Sequence, residues 1–336
     1  MKFTKLYNKS DENFFTEFKS WLQSDLSLVN KTIFENLNND STLISDLSNH
    51  IINAGGKRIR PLLTLTVAKL CKYSGKRHIN LASVIEFIHT ATLLHDDVVD
   101  NSTKRRGEKT ANVVWGNKSS ILVGDFLLSK AFKILVTDGS LKCIDIISKA
   151  SEKISYGEVK QLMNVGNLNL GETEYLDTID YKTAELFSAA CQISAEISEI
   201  DNNKKDSLKD FGKFLGIAYQ IVDDTLDYFS EEKKSGKEIG NDFKEHKMTL
   251  PLILVYKRCD KKEKNYINFI NSKKIITNQD LAWVTEKMKK YQVFEDCLQK
   301  AKHFSVMAKD SLGFFSKSEE KSKIIKLVDY LTNRKN

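Results

Sequence analysis

Apolar residues recur every three to four positions along nearly the whole chain, which is the period of an amphipathic helix. Residues 11–37 read as an opening helix or helix pair and 40–53 as another. A-G-G-K-R-I-R-P then breaks the pattern, and L-L-T-L-T-V-A-K-L-C resumes it. Residues 80–100 are apolar on almost every side, interrupted mainly by Glu86, His89 and a run of aspartates. Such a helix belongs at the centre of a bundle. The polar, glycine-bearing stretch 101–117 reads as a loop, followed by a helix over 119–138. Helical periods continue through 141–164, 172–177, 180–199, 205–229 and 249–334. N-V-G-N-L-N-L at 164–170 is a linker, with Thr178 or Asp180 placed to cap the helix over 180–199. The charged segment 230–247 reads as a flexible loop. No strand alternation, short repeat or domain linker is visible. The expectation is a single all-α domain over residues 1–336, a bundle of long helices.

Composition supports this and narrows the chemistry. The 336 residues contain two prolines, Pro61 and Pro251, and 15 glycines, few breakers for a turn-rich β fold. The five cysteines, Cys71, Cys143, Cys191, Cys259 and Cys297, are odd in number and lack metal-ligand spacing. They point to reduced thiols and a cytoplasmic protein. The first residues lack the apolar core of a secretory signal and hold acids and no arginine, unlike a transit peptide. No run of roughly 18 apolar residues exists to span a bilayer, so any membrane contact is peripheral. The net charge of +7 suits an anionic ligand. No nucleic-acid recognition motif accompanies it, so no nucleic-acid partner is expected.

The aspartates carry the chemistry. L-L-H-D-D-V-V-D at 93–100 places Asp96, Asp97 and Asp100 at the end of the most apolar helix. Q-I-V-D-D-T-L-D at 220–227 repeats the arrangement with Asp223, Asp224 and Asp227. Residues i and i+4 share a helix face, so each cluster forms a carboxylate stripe one turn long. Like charges at this spacing destabilise a helix, and burying unpaired carboxylates costs far more. A hard divalent cation with oxygen ligands relieves both, and Mg²⁺ commonly combines carboxylates with phosphate oxygens.

Cations suited to phosphate lie nearby in sequence. Lys57, Arg58 and Arg60 stand in G-G-K-R-I-R-P, and Arg105 and Arg106 in R-R-G. Four of the seven arginines fall in these two stretches of a chain with 45 lysines. Arginine's planar fork grips phosphate oxygens bidentately, which lysine cannot do. Lys182, Thr183, Lys237 and Lys247 flank the second cluster. His89 lies two turns before Asp96, and Gln220 three residues before Asp223.

Together with V-G-D-F-L, G-E-V-K-Q-L, Y-K-T-A and K-M-T-L-P-L, these motifs make residues 40–255 resemble the trans-polyprenyl diphosphate synthases. The resemblance implies a bundle around a central cavity, of isoprenoid synthase type. It implies Mg²⁺, as three ions bridging an allylic diphosphate, held by Asp96, Asp97 and Asp100 from one side and Asp223, Asp224 and Asp227 from the other. Lys57, Arg60, His89 and Arg106 would hold isopentenyl diphosphate. Arg105, Lys182, Thr183, Gln220, Lys237 and Lys247 would surround the allylic diphosphate. It also implies a homodimer, and peripheral membrane contact for product release. Two positions depart from the family pattern: Asn241 replaces an aspartate, and His246 stands where glycine is frequent.

The implied reaction is ionisation of the allylic diphosphate, attack by the isopentenyl double bond and loss of a proton, with water excluded by closure of 230–247. Thr92 and Ala91, four and five residues before Asp96, are small. A growing chain can pass them, which predicts a long-chain product; the resemblance, greatest to the octaprenyl type, implies an all-trans product of octaprenyl length, as used for quinone side chains. Phe132 or Leu135 is the expected tunnel floor. The alternatives are a geranylgeranyl synthase or a non-catalytic partner subunit of a heteromeric synthase. A terpene cyclase would carry a different second motif and no G-G-K-R-I-R-P.

Overall fold

The computed structural model describes residues 9–37, 41–53, 56–105, 107–229 and 239–333. The chain begins with α1 (Lys9–Trp21), α2 (Gln23–Leu37), α3 (Thr42–Asn53) and α4 (Ile59–Leu70). α5 (Arg77–Val99) is followed by a two-residue antiparallel ribbon, β1 (Lys104–Arg105) and β2 (Glu108–Lys109). Next come α6 (Ala111–Trp115), α7 (Asn117–Asp138), α8 (Leu141–Met163) and α9 (Glu172–Ile179). A π-helical turn, Asp180–Ala184, joins α9 to α10 (Glu185–Ile197), and α11 spans Asn202–Phe229. The remaining helices are α12 (Asn241–Lys244), α13 (Leu250–Arg258), α14 (Lys261–Asn271), α15 (Asn278–Lys290), α16 (Val293–Ser311) and α17 (Glu319–Thr332). The all-α expectation holds. The ribbon was not visible in the sequence because two residues per strand leave no alternation to read.

Burial follows the sequence pattern. α5 is buried on most sides, from Ile79 to Leu94, and packs against α2, α4, α7 and α10. α11 packs on α10 and α16. Both prolines lie in the first turn of a helix, Pro61 in α4 and Pro251 in α13, where a missing N–H costs little. Asp260 and Thr277 open α14 and α15 through reciprocal capping boxes with Glu263 and Asp280. Neither Thr178 nor Asp180 caps the start of a helix. The Thr178 hydroxyl donates to the Glu174 carbonyl at 2.8 Å, and the backbone runs through both residues without a break.

The apolar interior is in two parts. One holds α5, α7, α10 and the first half of α11; the other holds α9, the second half of α11 and α13 to α16. The seam between them passes Leu94, the π-turn and Leu215–Ile217. There α10 and α11 nearly touch: a Cβ on Gly216 would lie 2.5 Å from Ala184 Cα, and one on Gly212 2.6 Å from the Phe187 carbonyl oxygen. Glycine at these two positions brings the π-turn against the face of α11 that leads to Asp223.

Candidate active site

The first aspartate cluster ends α5. Asp96 and Asp97 lie in its last turn, and Asp100 is its C-cap. Asp97 is 3% exposed. Burial pushes its carboxyl up, and the Arg105 guanidinium offsets only part of that. Arg105 reaches it from β1, with Nη2 at 2.7 Å and Nε at 3.0 Å from Oδ1. The ribbon thus serves to carry one arginine back onto the preceding helix.

The π-turn faces both clusters. Lys182 Nζ donates to Glu158 Oε2 at 2.5 Å and Gln161 Oε1 at 2.8 Å, both on α8, and lies 3.9 Å from Asp96 Oδ2. Burial, with Asp96 adding to it, pushes the Glu158 carboxyl up to about 7 against the pull of Lys182. The adjacent Thr183 hydroxyl donates to Gln220 Oε1 at 2.8 Å, and Gln220 Nε2 donates to Asp224 Oδ1 at 2.6 Å. The Tyr175 hydroxyl donates to Asp224 Oδ2 at 2.7 Å. Asp224 is 5% exposed, and burial followed by the charge of Asp242 pushes its carboxyl up to about 8. A π-turn widens the helix and presents consecutive side chains in directions an α-helix would not. Here Lys182 addresses the first cluster and Thr183 the second.

A second bridge is formed by 239–249. The Gly240 N–H donates to the Asp227 carbonyl, and the Asp242 N–H to Asp227 Oδ2 at 3.0 Å. The Lys247 N–H donates to the Asp242 carbonyl, while its ammonium reaches Asp100 Oδ2 at 2.6 Å and Glu245 Oε2 at 2.8 Å. Burial opposes the Lys247 charge, but Asp242, Asp100 and Glu245 outweigh it and hold the ammonium protonated. Asp227 on α11 and Asp100 on α5 are therefore tied through one short segment.

Arg60 and His89 also meet. Arg60 Nη1 lies 3.1 Å from His89 Nε2. Arginine only donates, so this nitrogen accepts and the ring proton sits on Nδ1. The Arg60 guanidinium stacks 4.7 Å from the Phe187 ring centre, and Lys57 Nζ stands 4.6 Å from that of Tyr330. Ala91 is fully buried, and the Thr92 hydroxyl donates to the His89 carbonyl at 2.8 Å. Leu135 is buried, whereas Phe132 is 37% exposed, so of the two only Leu135 faces the interior of the chain. Arg106, Lys237 and residues 230–238 of the expected closing loop lie outside the described residues.

Sequence reasoning did not assign roles to Glu158, Gln161, Tyr175, Asp242 or Glu245. Glu158 and Gln161 were present in G-E-V-K-Q-L, three apart and so on one helix face; that spacing is the signal that could have found them. Among the described residues, no three His, Cys, Asp or Glu side chains converge as a metal-ligand group. Arg105, Lys182 and Lys247 lie on or near the carboxylates instead. The donor set nevertheless fits a hard divalent cation: it is oxygen throughout, and two members are buried carboxylates whose charge burial disfavours.

Residues 41–288 match the family Polyprenyl synthetase. Octaprenyl diphosphate synthase of Escherichia coli (strain K12) is 46% identical over 229 residues, 68% of this chain and 71% of that protein. Its counterpart in Haemophilus influenzae is 37% identical over 331 residues, 98% of this chain and 99% of that protein. A crystal structure of polyprenyl synthase from Caulobacter crescentus CB15, complexed with calcium and isoprenyl diphosphate, superposes with a TM-score of 0.93. It is 38% identical, over 96% of this chain and 98% of that one.

Proposed function

Because the chain belongs to the polyprenyl synthetase family and is a trans-prenyl diphosphate synthase, we propose that it extends farnesyl diphosphate with isopentenyl diphosphate to octaprenyl diphosphate, a precursor of quinone side chains. The observation that carries this is the double bridge across the seam: Lys182 and Thr183 on one side, Lys247 on the other, each linking the two aspartate clusters. The similarity to octaprenyl synthases over up to 98% of the chain supports the product length.

Asp96, Asp97, Asp100, Asp223, Asp224 and Asp227 would hold Mg²⁺, as three ions, which when bound neutralises charge on the diphosphate leaving group. Arg105, Lys182 and Lys247 would exchange carboxylate partners for diphosphate oxygens, joined by Lys237. Thr183 and Gln220 would orient the same group by hydrogen bonds. Arg60 and His89, with Lys57 and Arg106, would anchor isopentenyl diphosphate. The allylic C–O bond breaks, and its electron pair leaves with the diphosphate oxygen. The π pair of isopentenyl diphosphate forms the new C–C bond to the allylic carbon. A proton then passes from the adjacent carbon to the departed diphosphate. Fixed positive charge aimed at the leaving oxygen lowers this barrier because it needs no reorganisation.

The proposal extends to a cytoplasmic homodimer with peripheral membrane contact for product release. No described helix is long and apolar enough to cross a membrane. Exposed Ile121, Leu122 and Val136 on α7 and Leu162 and Met163 on α8 support a protein partner on that face. The deciding experiment incubates purified protein with Mg²⁺, farnesyl diphosphate and isopentenyl diphosphate, then chromatographs the dephosphorylated products. A ladder ending at octaprenol is expected. A ladder stopping at geranylgeraniol would replace the long-chain assignment, and no consumption of isopentenyl diphosphate would overturn the activity.

A further inference from the structure

Resting on the reading of Lys247 as a diphosphate ligand, we propose that Asn271 is a positioning residue. Its side-chain amide closes a three-segment clamp that holds His246 in a left-handed conformation and thereby aims Lys247 at Asp100.

His246 has φ +57°. Glycine enters this region without penalty, but a side chain with a Cβ does so only where its surroundings hold it. Three hydrogen bonds do so here. The Gly166 N–H, from the linker after α8, donates to the His246 carbonyl at 2.8 Å. Asn271 Nδ2, at the last residue of α14, donates to the Gly166 carbonyl at 2.8 Å. Asn271 Oδ1 lies 3.3 Å from His246 Nδ1. An amide oxygen only accepts, so Nδ1 carries a hydrogen and donates. Neutral and protonated rings both supply that hydrogen, and the clamp needs no change in ring charge.

The residue after this bend is Lys247. Its N–H is given to Asp242, whose own N–H is given to Asp227, and its ammonium reaches across to Asp100. If residue 246 relaxed to a right-handed or extended conformation, the next peptide would turn and carry Lys247 off this path. Asn271 touches neither aspartate cluster nor Lys247. Its effect passes through one backbone torsion.

The test uses the full-length protein. Asn271→Ala should raise KM for the allylic diphosphate about tenfold while moving KM for isopentenyl diphosphate less than about twofold. Adding His246→Gly should restore most of the loss, because glycine adopts the bend without the penalty a Cβ brings. In a Lys247→Gln background, Asn271→Ala should add little. Hydrogen exchange, read by mass spectrometry on peptides covering 162–170 and 240–249, should be faster in Asn271→Ala. Equal rises in both KM values, no recovery with His246→Gly, additivity with Lys247→Gln, or unchanged exchange would each overturn the clamp. If the wild-type protein transfers no prenyl group, the functional reading fails and the exchange result still decides the clamp.

Discussion

At Asp224 the proposed metal-binding role would run against stability. Its carboxyl is held in a nearly dry position by Tyr175 and Gln220, and its pKa is raised from the ordinary 3.8 to about 8. Between these values the folded chain binds a proton that the unfolded chain has lost. Stability from this group therefore falls as pH rises through that window and levels off above about 8. Asparagine is nearly isosteric, and its amide can keep both partners, since a tyrosine hydroxyl also accepts. Asp224→Asn should therefore melt higher than wild type in chelator, by a margin that widens from pH 4 towards 8. The upper limit is roughly 1.4 kcal/mol per pH unit. Prenyl transfer should meanwhile fall by about 10² or more. A margin independent of pH in thermal unfolding would show that the fold does not raise this carboxyl's pKa. The aspartates themselves were legible because two D-D-x-x-D stripes behind apolar runs are hard to explain as solvated helix ends. Tyr175 and Glu245 were not: a lone tyrosine in a helix, or one glutamate among 45 acidic residues, carries no spacing that marks it.

At the scale of the element, α5 does most of the positioning and was the easiest to read. Apolar residues on almost every side placed it at the centre, and the expected span of 80–100 differs from the observed Arg77–Val99 only at its ends. The same helix bears the product-length hypothesis. Ala91 is fully buried five residues before Asp96, so a larger side chain there must project among neighbouring core groups. Ala91→Phe should shorten the longest product. It should also lower stability by roughly 1–3 kcal/mol through overpacking. An unchanged chain-length profile in a folded variant would refute the tunnel assignment. The π-turn was not legible, because its wider hydrogen bonding has no compositional signature. Residues 172–197 hold neither glycine nor proline, so a continuous helix was the better expectation there than a break at Thr178 or Asp180.

For the whole molecule, the exposed face of α7 and α8 matters most. Leu122 is 67% and Val136 69% exposed, with Leu162 and Met163 on the neighbouring helix more than half exposed. Periodicity could not separate these from core positions: Leu122 and the fully buried Leu127 read alike in sequence. If the proposed homodimer forms through this face, Leu122→Glu combined with Val136→Glu should convert it to a monomer in sedimentation velocity, with the helical circular dichroism retained. An unchanged sedimentation coefficient would place the interface elsewhere. The bundle as a whole also depends on the turn at Asp180–Ala184. Delete one residue within it and the helix would become more regular, not less, because an ordinary i→i+4 ladder could close. Everything upstream would then rotate by about 100° against α10. Lys182 and Thr183 could no longer look two ways at once. The contacts that join the two aspartate clusters are thus housed in what would elsewhere count as an error in the helix, and repairing that error would undo them.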